Sequence, residues 1–157
     1  MNLDAYFART GFSGATACTV DTLNRLALAH VKSIPFENLD VLLNRPISLD
    51  DAAVDGKLIT RQRGGYCFEQ NTLMLRVLQT LGFEVEPISA RVRYQRARDF
   101  TPPRTHVFLK VMLDGETWFA DVGVGAMSPT CALRFVLNEE QATPHEPRDR
   151  KSTRLDS

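Results

Sequence analysis

Cys67 follows Gly64, Gly65 and Tyr66 and precedes a long segment whose apolar residues recur at helical spacing. That pattern describes a loop delivering a thiol to a helix N-terminus, where the dipole and the unpaired amides favour the thiolate. A thiolate so placed becomes a nucleophile if a base and an orienting carboxylate reach it from elsewhere in the chain. Thr105-His106 and Asp121-Val122-Gly123 supply an imidazole and a carboxylate. The chemistry these three residue types perform together is acyl transfer through a Cys67-His106-Asp121 triad.

His106 and Asp121 are tied to one another by a hairpin. Two runs of strand-like composition, Thr105 to Leu113 and Glu116 to Val122, flank Asp114-Gly115, a strong two-residue turn signal. If Leu113 pairs with Glu116, Phe108 lies opposite Asp121 and His106 opposite Gly123. His106 and Asp121 then share a face as diagonal neighbours, roughly 7–8 Å apart at the backbone. A three-residue loop with a bulge would reverse that parity.

Helices must carry the sulfur. Leu3, Tyr6 and Phe7 lie on one stripe of a short helix, and a second helix starts with Asp21 as N-cap and Val20 as staple. Pro35 ends that second helix at Ile34. Ser48 to Asp51 opens a third helix running to about Arg61, and a fourth runs from Cys67 to Leu81, with Gly82 as its C-cap. From Glu84 to Arg93 the pattern turns to strand, and the basic stretch from Tyr94 to Arg104 reads as a loop. The division expected is a helical subdomain over 1–82, a β subdomain over 83–145 and a disordered or non-family tail over 146–157.

Other features are assigned packing or bracing roles. Cys18 and Cys131 have no glycine-helix context and read as packing thiols, and three scattered cysteines make no disulfide framework or zinc site. Arg63 and Glu37 brace loops through ion pairs, while Glu69 and Asn71 hold the first turn after Cys67 and the adjacent loop. His30 sits on an apolar stripe as a core histidine, and His145 belongs to the tail. Charge is balanced, with 19 basic and 19 acidic residues, and the basic loop has too few aromatics for a nucleic-acid surface. No apolar run suits a bilayer and the first residues resemble no export signal, so no membrane partner is expected and a cytoplasmic location is.

Arg63 to Asn71, Ile34-Pro35-Phe36-Glu37-Asn38-Leu39-Asp40-Val41, Thr105-His106 and Asp121-Val122-Gly123 together resemble the arylamine N-acetyltransferase family, from the N-terminus to about His145. The resemblance implies an α+β, cysteine-protease-like fold: an N-terminal helical bundle packed on an antiparallel, β-barrel-like subdomain. It implies ping-pong transfer from acetyl-CoA to an arylamine, arylhydrazine or N-hydroxyarylamine through acetyl-Cys67, with no bound cofactor and no metal. Thr105, Gly123, Gly125 and Ala126 would lie near CoA, with Phe36 and Val124 lining the acceptor pocket. Val124 stands where the family usually has an aromatic, and Ala126 where it has glycine. Family members are longer and carry an α/β lid, before which this chain is expected to stop. Easier hydrolysis of the acetyl enzyme, weak CoA binding and self-association through uncovered surface are the expected consequences. A cysteine hydrolase or thioesterase, a macrolactam-closing amide synthase, and a folded fragment without turnover stay open as alternatives.

Overall fold

The computed structural model describes residues 1–93, 99–136, 139–145 and 148–149. Helices come first: α1 (Leu3–Thr10), α2 (Val20–Ser33), α3 (Leu39–Leu42), α4 (Asp51–Asp55) and α5 (Cys67–Thr80). Strands β1 (Glu84–Arg91), β2 (Arg104–Leu113), β3 (Glu116–Ala120) and β4 (Leu133–Arg134) form one antiparallel sheet in that order. The short strands β5 (Glu140–Gln141) and β6 (Arg148–Asp149) pair separately. The tail expected to be disordered therefore contributes β6; the rest of 146–157, like Tyr94, Arg96 and Arg98 of the basic loop, lies outside the described residues.

Local chemistry explains most boundaries. Asn2 caps α1, its side chain accepting from the Ala5 amide, and Gly11 ends it at φ 68°. The cap of α2 is Thr19, two positions before the expected cap Asp21. Its hydroxyl accepts from Thr22 N, so Asp21 sits in the first turn instead of capping it. Ile34 leaves helical geometry at φ −113°, ψ 100°, as the following Pro35 requires. The third expected helix is shorter: α4 gives way at Gly56 to one π-helical turn, Gly56–Thr60. α3, with only four residues, carries no periodic signal that could announce it.

α5 is the axis of the molecule. Its residues Leu73, Met74, Val77 and Leu78 are fully buried, and it packs on β1, β2 and α4. Each such side chain contributes about 1.5–3 kcal/mol by leaving water. One apolar cluster runs from Tyr6, Leu23 and Leu26 through α5 to Leu109, Val111 and Ala120, so helices and sheet share a core. Gly82, at φ 92°, turns the chain out of α5 and into β1.

Two buried polar clusters, one around His30 and one around Lys57, border this core. His30 is fully buried, with Nδ1 3.0 Å from the Tyr6 hydroxyl and Nε2 2.6 Å from Gln70 Oε1. Lys57, from the π-helical turn, sits beneath the start of α5 with its ammonium 2.8 Å from Glu69 Oε1 and 2.8 Å from Asp40 Oδ2. Arg63 adds bonds to Glu37 at 2.7 Å and Asp40 at 3.1 Å, and these two cations hold the Asp40 carboxyl down at about 2. Cys18 departs from its expected packing role. It is exposed, and its thiol donates to Leu81 O at 3.3 Å, whereas Cys131 is buried as expected.

Two stability predictions follow from these buried groups. Lys57→Met removes the counter-charge of the buried Glu69 and should cost about 3–5 kcal/mol in urea unfolding; a change below about 1 kcal/mol contradicts the network's role. Burial pushes the His30 imidazole down to about 4, against the hydrogen bond to Gln70, which raises it. The unfolded chain then binds the proton first. Stability is intact above 6.5, the ordinary histidine value, and is lost as pH falls toward 4. Tm should decline across that window, and less steeply in His30→Gln; parallel profiles contradict a buried neutral ring.

Candidate active site

Three elements meet at Cys67. The first is the Gly64-Gly65 approach, which forms a parallel bridge between Gly65 and Phe36 through Glu37 N to Gly65 O at 3.0 Å and Gly65 N to Pro35 O at 3.2 Å. A Cβ on Gly64 would stand 2.1 Å from Pro35 O, so this approach admits glycine alone. Glu69 then returns a carboxylate oxygen to Tyr66 N at 3.0 Å, fixing the entry into the first turn of α5. Cys67 opens that helix, buried, with Sγ 3.6 Å from Thr105 O.

The second element is the β2–β3 hairpin. Asp114 and Gly115 both have positive φ, 51° and 78°, the geometry of a tight two-residue turn. Leu113 pairs with Glu116, and the register runs unbroken to Leu109 opposite Ala120. The parity expected from the sequence holds, although β3 ends at Ala120 and Asp121 lies just beyond it. His106 Nε2 and Asp121 Oδ2 are 2.6 Å apart.

The third element is the junction between them, and here Asn71 has a part that sequence reasoning missed. Its amide nitrogen donates to Asp121 Oδ1 at 3.0 Å and to Val107 O at 2.8 Å, while its oxygen accepts from Val122 N at 3.2 Å. Asn71 therefore holds the far hairpin and not its own adjacent loop. Its position four residues after Cys67, on the same helix face, was the one available signal. Gly123 N adds a bond to Asp121 Oδ1 at 2.9 Å. A Cβ on Gly123 would stand 2.7 Å from both Cys67 Cα and Asn71 Nδ2, so the absent side chain is what lets the hairpin reach the helix.

The electrostatics follow from these contacts. Burial works against a charged His106 ring, but hydrogen bonds to Asp121 and Cys67 outweigh it and raise the imidazole to about 9. With Nε2 committed to Asp121, Nδ1 is the nitrogen left for Cys67. An imidazolium at neutral pH beside a helix N-terminus is the setting in which a cysteine acts as thiolate.

The remaining expected site residues divide. Thr105 borders Cys67 through its carbonyl. Gly125 and Ala126 line a cavity of about 350 Å³ with Val31, Ile34, Pro35, Phe36, Val122 and Ser128. Phe36 is thus on the cavity wall. Val124 is not among the lining residues; its side chain is exposed, and its amide donates to Ser128 Oγ at 2.9 Å. Gly123 is taken up by contact with Cys67 and Asn71. Among the described residues no His/Cys/Asp/Glu cluster suits a metal ion, and no helix is long and apolar enough to cross a membrane.

Comparison with known proteins identifies the family. A family model described as N-acetyltransferase matches residues 19–154. An arylamine N-acetyltransferase of Escherichia coli K12 is 50% identical over 143 residues, covering 91% of this chain and 50% of its own. The chain belongs to the arylamine N-acetyltransferase family. A Salmonella typhimurium relative, 46% identical over 91% of this chain and 50% of its own, is named for N-hydroxyarylamine O-acetyltransferase activity as well. The solved Mycobacterium tuberculosis enzyme superposes with a TM-score of 0.89 at 45% identity, over 94% of this chain and 56% of that one. The Mycobacterium marinum enzyme, solved in complex with CoA, gives 0.87 at 40% identity, over 93% and 55%. The fold is the cysteine-protease-like α+β fold of these enzymes, and the chain spans about half the length of the relatives it matches.

His106 should titrate near 9 by NMR, keeping its proton through neutrality and losing it as pH rises through that value. Asp121→Asn should bring the midpoint down toward 6.5, and Asn71→Ala should shift it in the same direction by a smaller amount. An unchanged midpoint in Asp121→Asn contradicts the assigned contact.

Proposed function

We propose that this site transfers an acetyl group from acetyl-CoA to an arylamine, arylhydrazine or N-hydroxyarylamine by a ping-pong route through acetyl-Cys67. The observation that carries the reading is the 2.6 Å contact between His106 and Asp121 at the mouth of the helix that starts with Cys67. Family membership and a relative solved with CoA support the same donor.

The steps balance as follows. The Cys67 thiolate attacks the thioester carbonyl carbon, and the C–S bond to CoA breaks. The departing CoA thiolate takes the proton of the His106 imidazolium, leaving acetyl-Cys67 beside a neutral ring. The acceptor nitrogen (or hydroxylamine oxygen) then attacks the acetyl carbon, and His106 removes its proton. Cys67 leaves as thiolate, restoring the ion pair. Asp121 keeps the ring oriented and favours its charged form in both half-reactions. Amides of the first α5 turn are directed at the developing oxyanion, where a helix start concentrates positive potential.

In this reading the cavity between Phe36 and the Gly125-Ala126 turn receives the aryl group, with Phe36 as its aromatic wall. Val124, exposed beside it, borders the entrance. Thr105, Gly125 and Ala126 form the backbone surface that faces CoA, while Gly123, pressed against Cys67 and Asn71, holds that turn from behind. Acetylation of amine-bearing xenobiotics in the cytoplasm is the setting proposed.

Incubation with acetyl-CoA should add the mass of one acetyl group to Cys67, absent in Cys67→Ala. An arylhydrazine should then discharge the adduct faster than buffer does. No adduct defeats the acetyl-transfer reading, and an adduct that buffer removes as quickly as the hydrazine assigns hydrolysis instead.

A further inference from the structure

Three residues later than Cys67 on the same helix, Gln70 is fully buried and its amide nitrogen faces three carbonyl oxygens. These are Pro35 O at 2.9 Å, Ile34 O at 3.2 Å and Gly65 O at 3.2 Å. An amide oxygen turned to that side would meet three acceptors and no donor, so the orientation of the group is fixed. Oε1 must then face His30 Nε2 at 2.6 Å, and that nitrogen must carry the hydrogen. His30 Nδ1 is consequently bare and accepts from the Tyr6 hydroxyl at 3.0 Å. With the Gln70 amide so oriented, the neutral ring tautomer of His30 that matches it is the one protonated at Nε2.

The chain ends on the wall of the cavity. Ile34, Pro35 and Phe36 all line it, and Gly65, two residues before Cys67, is bridged to Phe36. We infer that His30 is a positioning residue: by donating to Gln70 it holds the cavity wall formed by Ile34 to Phe36 in fixed register with the helix start that bears Cys67. It touches neither sulfur nor cavity. This rests on the reading of that cavity as the acceptor pocket for its catalytic meaning, though the register itself does not depend on that reading.

The geometry separates two roles that deletion of His30 would confuse. Tyr6→Phe removes the far hydrogen bond and leaves Nε2–H on Gln70, so it lowers stability without releasing the wall. His30→Gln can place an amide N–H toward Gln70 Oε1 and keeps the donation. His30→Leu removes it, leaving Oε1 buried without a donor.

Amide hydrogen exchange in the full chain, read by NMR, distinguishes them. The reporters are the bridge amides of Glu37 and Gly65, with Val77 and Leu78 of the α5 core as references. In His30→Leu the bridge amides should exchange at least about tenfold faster relative to the core amides. In Tyr6→Phe and His30→Gln that ratio should stay within about twofold of wild type, whatever the loss of global stability. Uniform acceleration in all variants overturns the inference, as does a wild-type imidazole protonated at Nδ1 in long-range 1H–15N spectra. If His30→Leu does not fold, a raised ratio in His30→Gln by as much as tenfold overturns it, and retention with the Nε2–H tautomer supports it.

Aniline supplies the functional arm. Binding to wild type, weakened about tenfold in His30→Leu and unchanged in Tyr6→Phe, supports the catalytic meaning. Aniline bound equally by all variants overturns that meaning. Failure of wild type to bind aniline with the exchange ratio shifted as stated counts against the acceptor-pocket reading and leaves the register established.

Discussion

Asn71 joins two elements that no local signal brings together. On one side is a helix whose first residue is Cys67; on the other, the end of a hairpin carrying His106 and Asp121. A single amide satisfies Asp121, Val107 O and Val122 N at once. Gly123 makes the approach possible by presenting no side chain to Cys67 Cα. Without that junction the carboxylate would lie past the end of β3 held by the Gly123 amide and the imidazole alone, with no side chain of α5 tying it to the helix that bears Cys67. The proposed triad is thus an interface between a helix and a sheet, positioned by α5 packing in the shared core.

The ion-pair network and the histidine chain sustain the same junction from the other side. Lys57, Glu69, Asp40, Arg63 and Glu37 fasten the loop before α5 to the segment that follows α2. Gln70 fastens the same two segments from inside the core. Buried charges are not retained for net stability alone, since well-packed apolar groups often serve as well. Here they surround the one place where a loop must run through the interior with its carbonyls and amides paired.

Much of this was legible beforehand because the relevant signals are local. The Asp114-Gly115 turn sets hairpin parity, and parity places His106 and Asp121 on one face; the observed register from Leu113 to Leu109 bears that out. Helix stops at Ile34 and Gly82 obey short-range rules of proline sterics and glycine capping. What escaped depends on distant partners. Asn71 looks like any polar residue in a first turn until Val107 and Asp121 are beside it. The four-residue α3 and the π-helical turn at Gly56 have too little periodicity to announce themselves. Val124 lies outside the cavity lining, which no pattern in the sequence encodes.

The central claim is that Cys67 and His106 act as one unit, and cysteine alkylation tests it most directly. With iodoacetamide at neutral pH, Cys67 should be modified quickly and slow by at least about tenfold in His106→Ala, while the exposed Cys18 reacts equally in both proteins. Equal rates at Cys67 in wild type and variant would contradict the coupling on which the acetyl-transfer chemistry depends.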